Sequence, residues 1–270
     1  MGIKKLFDII SGSLILRLDD NWRLGVDGFS ILFECLTPPY ILTDKNGRVT
    51  HHIQALVQKI INLPKRQLWV FDPYKKNKAK TETLKERAKH TKEIFNKISL
   101  KQALQDLKDI LDILGITYIT APDEVEAEGY LASLYKNDII DIILSKDTDV
   151  LAYGARLLYY KDKQYRIFDT KEICEDLGVK YNDFVKICCL LGNDFNPTAN
   201  GISTKNVVNM VINNTSLSNK EIISYIIFRE KIELVGIPTI KKWVVTEKLL
   251  EYLNQFQIEK IQTKLKTLII

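Results

Sequence analysis

An α/β fold with a mainly parallel sheet flanked by helices, followed by a helical region, is what this 270-residue chain predicts. Three observations carry that expectation. Short β-branched, apolar runs at 24–26, 68–71, 116–119 and 139–144 alternate with longer stretches of helical spacing, which is the strand, helix, strand order of a parallel sheet. The runs are almost continuously apolar, as in Ile139, Ile140, Ile142, Ile143 and Leu144, and this fits strands buried on both faces. Beyond about residue 171 only helical periodicity continues.

Each element has a local reason. Leu104, Leu107, Ile110, Leu111 and Leu114 recur at three and four residues, the buried stripe of an amphipathic helix, and Gly115 supplies its stop. Later helices are predicted over 182–191, 204–211 and 220–231, with two more from about 246 onward. At 46% apolar and 27% charged, the composition belongs to a globular protein and excludes a disordered or fibrous one. No apolar run approaches the ~20 residues of a membrane span, and the N-terminus lacks the pattern of a secretory signal. The expected location is therefore intracellular, without a membrane. Cys35, Cys174, Cys188 and Cys189 show no zinc-type spacing and are expected to be buried thiols. Three histidines leave little for a histidine-based site, so catalysis should run on carboxylates.

The formal charge of +5 permits a polyanionic partner. Its distribution is more telling. Lys75, Lys76, Lys78, Lys80, Lys85, Arg87, Lys89 and Lys92 face only Glu82 and Glu86 within one stretch.

In open α/β sheets, ligands bind outside the carboxyl ends of the strands. Those ends deliver acids: Asp27, Asp72, Glu124 with Glu126, and Asp147 with Asp149, while a later apolar run delivers Asp194. Two-residue spacing in an extended segment would point Asp147 and Asp149 the same way. On a helix, by contrast, Glu124 would share a face with Glu128 and not with Glu126, so spacing alone does not choose between them. Any one of these acids by itself is an ordinary solvated residue. Seven at one edge would repel strongly, and divalent cations would relieve the repulsion. Carboxylate oxygens without His or Cys select Mg²⁺ or Mn²⁺, which complete their shell with phosphate oxygens.

These residues resemble the motifs of the flap endonuclease and XPG family of structure-specific nucleases. Ala121-Pro122-Asp123-Glu124-Val125-Glu126-Ala127 resembles that family's APxEAEA; the segment from Lys146 to Gly154 resembles EDxDxLxFG; Leu190-Leu191-Gly192-Asn193-Asp194-Phe195 resembles LLGxDY; and Met1-Gly2-Ile3 is similar to its start. The resemblance implies a PIN-like core in which Asp27, Asp72, Glu124, Glu126, Asp147, Asp149 and Asp194 hold two Mg²⁺ ions, with Mn²⁺ able to substitute. It favours Glu126 over Glu128. It also implies domains of 1–175 (nuclease core, with a basic arch at about 74–105), 176–235 (helix-two-turn-helix) and 236–270 (C-terminal helices).

Within that frame, Lys80 and Arg87 match the basic pair that polarises the scissile phosphate. Gly2 and Phe33 would lie against DNA, Phe33 by stacking on a base, although Phe29 and Phe33 at i and i+4 could equally form one core face. Gly201, Ser203 and Lys205 match the hairpin that grips duplex DNA with a bound K⁺, but Ser203 replaces a glycine, so either the hairpin bends differently or the ion contact weakens. One extra residue between Asp194 and Gly201 indicates a rebuilt loop. Pro73 follows Asp72 where Gly is usual, and the stretch from Arg87 to Glu124 is about twenty residues shorter than a flap endonuclease would carry. A shortened arch implies looser selection for free 5′ ends.

The implied function is a Mg²⁺-dependent 5′ nuclease acting on flapped, nicked, gapped or branched DNA in replication or repair, located in the nucleus or at replication sites. A 5′ to 3′ exonuclease of the same family, or a catalytically silent DNA-binding scaffold, are the alternatives. Gln262, Leu265, Leu268 and Ile269 have the spacing of a sliding-clamp box without its aromatic pair, and an amphipathic terminal helix explains them as well. Trp243 with Lys241 and Lys242 would either extend the duplex contact or, for the Trp, pack inside.

Overall fold

The computed structural model describes residues 2–37, 42–75, 99–256, 258 and 261–269. A seven-stranded sheet organises the fold: β1 (Ser13–Ile15), β2 (Arg23–Asp27), β3 (Arg66–Phe71), β4 (Thr117–Thr120), β5 (Ile142–Leu144), β6 (Arg156–Lys161) and β7 (Gln164–Asp169), in spatial order β1-β7-β6-β5-β2-β3-β4. Strands β6, β5, β2, β3 and β4 run parallel, whereas β7 pairs antiparallel with both β6 and β1. The fifth strand is shorter than its apolar run, because residues 139–141 form the turn that leads into it.

Side-chain alternation splits the core into two layers. Leu68, Val70, Ile143 and Leu157 face one side, where they meet α4 (Ala127–Lys136), α5 (Asp149–Ala152), α6 (Thr170–Asp176), α7 (Tyr181–Leu191), α8 (Val207–Ile212) and α9 (Asn219–Arg229). Val26, Trp69, Phe71, Ile142 and Leu144 face the other, against α1 (Gly28–Leu36), α2 (His51–Ile61), α3 (Leu100–Leu114) and α10 (Glu247–Gln255). The one polar side chain inside β3, Gln67, is satisfied: its amide donates to the Ile60 and Pro64 carbonyls and its oxygen accepts from the Trp69 indole.

At its start, α3 has the Ser99 hydroxyl accepting from the Gln102 amide, and at its end Gly115 at φ 68°, a left-handed stop that only glycine adopts cheaply. The C-terminal chain closes over α3 and β4. Trp243 is buried, with its indole directed to the Pro64 carbonyl, and Lys242 bridges Arg66 at the first residue of β3, the sheet end opposite Asp72. Trp243 therefore packs inside, and the Lys241-Lys242 pair lies far from the strand ends that carry the acids. In α11 (Gln262–Lys266), Leu265 is wholly buried, Leu268 and Ile269 pack against the same layer, and Gln262 bonds Asn254 and the Ile258 carbonyl, as a packed amphipathic helix requires. All four cysteines are buried free thiols. Among the described residues no helix is long and apolar enough to cross a membrane.

Because Gly115 has open space around it but a left-handed backbone, Gly115→Ala should cost about 1–2 kcal/mol through backbone strain alone. Urea unfolding of the variant beside the parent protein measures it, and an unchanged midpoint would contradict this account of the α3 stop.

Candidate metal centre

Connections leave β2 and β5 in opposite directions, one towards β3 and the other towards β6, so the carboxyl ends of this adjacent pair form the crevice expected of a topological switch point. Asp27 ends β2. One of its oxygens accepts from the Ser30 amide at 3.0 Å, capping α1, and the other from the Ser145 hydroxyl at 2.8 Å. Only 4% of it is exposed. Burial, above all, pushes its carboxyl up to about 7; the charges of Asp72 and Asp147 add to this, while the bonds from Ser30 and Ser145 oppose it.

Past β5 the chain is not extended. Ser145 Oγ accepts from the Asp147 amide at 2.9 Å, and Asp147 Oδ1 accepts from the amide of Asp149, the first residue of α5, also at 2.9 Å. The convergence of Asp147 and Asp149 is thus made by an Asx-type turn into a helix and not by strand alternation. Asp194, in the loop after α7, joins them: Asp147, Asp149 and Asp194 are all buried and offer carboxylate oxygens within 4.8 Å of one another. That loop is stitched by Asn196, whose amide donates to the Cys189 and Pro197 carbonyls while its oxygen accepts from the Ser224 hydroxyl. The loop thereby has a fixed shape.

Asp72 accepts from the Ala127 amide at 2.9 Å, so it caps the first turn of α4 across from its own strand. Since α4 begins only at Ala127, the helical comparison of Glu124 with Glu128 does not apply. Glu126 is the partly buried residue preceding the helix, while Glu124 sits in the loop at φ 65° with its carboxylate 2.9 Å from Lys75. The structure therefore gathers Asp147, Asp149 and Asp194 tightly, brings Asp27 within electrostatic reach of both Asp147 and Asp72, and holds Glu124 outward on the Lys75 side.

Gly2 lies against the same turn. A Cβ there would stand 2.3 Å from Asp147 Oδ1 and 2.7 Å from the Thr148 amide, so no larger residue fits. The Ile3 amide donates to Thr148 Oγ1 and the Lys4 amide to the Gly192 carbonyl, which ties the N-terminal segment to both acidic loops. Phe33, on α1, is half buried, with its ring centroid 6.2 Å from that of Phe29. Ser203 avoids positive φ. Its amide and hydroxyl both bond Asn206 Oδ1, and its carbonyl accepts from the Val207 amide, so the turn after Gly201 runs directly into α8. Lys205 is exposed beside it. Lys80 and Arg87 lie outside the described residues.

Sequence reasoning missed Ser30, Ser145 and Thr148, the hydroxyls that set the acidic turns. Lys146, between Ser145 and Asp147, turns away to the Tyr160 carbonyl and Glu34. A buried, all-oxygen donor set with no His or Cys suits a hard divalent cation such as Mg²⁺ or Mn²⁺.

A family model, the XPG I-region, matches residues 115–194, the span from the end of α3 to the last acid. Flap endonuclease 1 of Naegleria gruberi is 30% identical over 200 residues, covering 63% of this chain and 51% of that protein. Flap endonuclease 1 of Xenopus tropicalis is 26% identical over 256 residues, covering 84% of this chain and 64% of that protein. The chain thus spans about half to two thirds of the length of these relatives. Among solved structures, the catalytic core of Rad2 in complex with DNA substrate superposes with a TM-score of 0.75 at 19% identity, covering 99% of this chain and 100% of the other. Flap endonuclease-1 from Methanococcus jannaschii gives 0.74 at 21%, covering 98% and 97%. Residues 115–194 thus match the XPG I-region, and the chain is similar to flap endonucleases in sequence and to the Rad2 core and flap endonuclease-1 in fold.

Proposed function

We propose that this chain is a divalent-metal-dependent, structure-specific 5′ nuclease that hydrolyses phosphodiesters of flapped or branched DNA during replication or repair. The carrying observation is the buried trio Asp147, Asp149 and Asp194 at the switch point, with Asp27 in electrostatic contact with Asp147 and with Asp72. The trio would hold a pair of Mg²⁺ ions, with Asp27, Asp72 and Glu126 completing the shell directly or through water, and Glu124 joining from its loop. When bound, the ions supply a nucleophilic water at neutral pH and neutralise charge on the phosphate oxygens. The chain's own part is to keep the oxygens aimed: Ser30 and Ser145 fix Asp27, and the Asp149 amide fixes Asp147.

Lys80 and Arg87 are the proposed cations on the scissile phosphate, Arg87 with two donors. Phe33 and Gly2 would border the cut strand. Lys205 and the Gly201–Ser203 turn would contact duplex phosphates, and the K⁺ reading there rests on the resemblance alone. The division into a nuclease core (1–175), a duplex-binding region (176–235) and C-terminal helices (236–270), and an intracellular, nuclear setting, belong to the same proposal. A sliding-clamp contact through 262–269 gains no support, because Leu265 is spent on the core.

Three outcomes test it. Asp147→Asn with Asp149→Asn should reduce Mg²⁺-dependent cleavage of a labelled 5′ flap by at least about a hundredfold while leaving gel-shift affinity for the flap within a few-fold; undiminished cleavage would refute the assignment. Flaps with free and with streptavidin-blocked 5′ ends should be cut at similar rates, and rejection of the blocked flap would overturn the shortened-arch reading. The third concerns pH. Asp27 binds its proton up to about pH 7 when folded, against an ordinary value of 3.8, so between those values the native state holds a proton the unfolded chain has released, and stability falls as pH rises through the window. Thermal unfolding without divalent ions should show this fall, Mg²⁺ should stabilise more at pH 8 than at pH 5, and Asp27→Asn should flatten both trends.

A further inference from the structure

Thr148 separates two of the buried acids and is itself 3% exposed. Its Oγ1 accepts a hydrogen bond from the Ile3 amide at 2.8 Å, across 145 residues of chain. The next amide, that of Lys4, donates to the Gly192 carbonyl at 2.9 Å, just before Asp194. Two consecutive amides of the N-terminal segment thus bind the two loops that carry the trio. The segment is seated without slack: Gly2 stands at φ 86°, and a Cβ there would lie 2.5 Å from Thr148 Oγ1. The bonds that Asn196 and Thr198 make within the Asp194 loop run elsewhere, to Cys189, Leu191, Pro197 and Ser224. Valine has the shape of threonine without the acceptor, so the Thr148 oxygen is the part of this side chain that packing does not explain.

We infer that Thr148 is a positioning residue of the metal centre: through residues 3 and 4 it ties the Asp147–Asp149 turn to the Asp194 loop and fixes the spacing of their carboxylates. This rests on the acids being a metal centre. Oxygens within 4.8 Å of one another repel when charged, and that repulsion drives the two loops apart. A link bonded to both loops opposes the drift and keeps the acids at one spacing before any cation enters. Hydrogen bonds outside the ligand set raise metal affinity in this way.

The test is calorimetric titration of the full chain with Mn²⁺ in the absence of DNA. Thr148→Val should weaken Mn²⁺ binding about tenfold, whereas Thr148→Ser, which keeps the acceptor, should bind as the parent does. On a flap substrate at limiting Mg²⁺, Thr148→Val should lower kcat with KM for the flap unchanged, and excess Mg²⁺ should restore the rate. Lys4→Pro breaks the other end of the link. Lys4 is exposed and stands second in the turn that the Leu6 amide closes on the Ile3 carbonyl, a place that proline suits. This variant should show the same loss of Mn²⁺ affinity, and adding Thr148→Val to it should change that affinity less than about twofold, because the link is already open. Parent-like affinity in Thr148→Val or in Lys4→Pro, failure of Thr148→Ser to restore binding, or a full further loss in the combined variant overturns the inference and leaves the nuclease reading standing. A parent protein that binds no Mn²⁺ overturns the metal centre itself, and this inference with it.

Discussion

Mutual repulsion of carboxylates in a dry crevice is the constraint around which this molecule is arranged. Oxygens within 4.8 Å of each other cost about 3–4 kcal/mol per charged pair at an effective dielectric near 20, and burial adds to that. The fold answers with hydrogen-bond donors supplied by the first amides of helices. Asp27 is capped by the amide of α1, Asp147 by the amide that opens α5, and Asp72 by the amide of Ala127 at the start of α4. Each of these three acids is therefore at once the end of a strand or turn and a partner of a helix start. Helix N-termini carry partial positive charge, so the βα geometry that builds the sheet also makes the crevice tolerable to negative charge before any cation enters it.

That coupling explains what the amino-acid sequence disclosed. Strands buried on both faces had to be continuously apolar, and β2, β3 and β5 stood out for that reason, each followed by an acid. Strand β1 and the β6–β7 hairpin did not stand out. They lie at the sheet's edge, where Ser13 and Leu14 are exposed, and the hairpin turns through Asp162 and Lys163, both at positive φ, without the glycine that normally marks such a turn. The acids were legible because they end apolar runs. Their orientation was not, because Ser30, Ser145 and Thr148 act through contacts 116, 118 and 145 residues apart in the chain, for which the sequence has no pattern.

Long-range closure also explains why the N-terminus matters. Residues 2–4 touch the Asp147–Thr148 turn on one side and Gly192 on the other. Asp147 and Asp194 come from segments separated by α5, β6, β7, α6 and α7, and the N-terminal segment is a strap across both. Gly2 itself approaches the Asp147–Thr148 turn so closely that a side chain there would clash. A residue that resembles a DNA contact by motif thus has a structural duty as well, and the two are compatible: the backbone that braces the acids is also the backbone that borders their crevice.

The roots of the basic segment follow the same logic. The chain leaves the described fold at Lys75, whose carbonyl accepts from the Glu124 amide and whose ammonium meets the Glu124 carboxylate. It returns at Ser99, the cap of α3. Helix α3 is itself pinned within its own layer, where its Asp106 meets His52 Nε2 of α2 at 2.8 Å, together with Arg48 and Gln102. Burial alone would raise that carboxyl, but these partners outweigh it and hold it below the ordinary range. One root is thereby fixed to the loop that presents Glu126, and the other to a helix locked against α2. Both anchors are set by carboxylates, Glu124 at one root and Asp106 at the other.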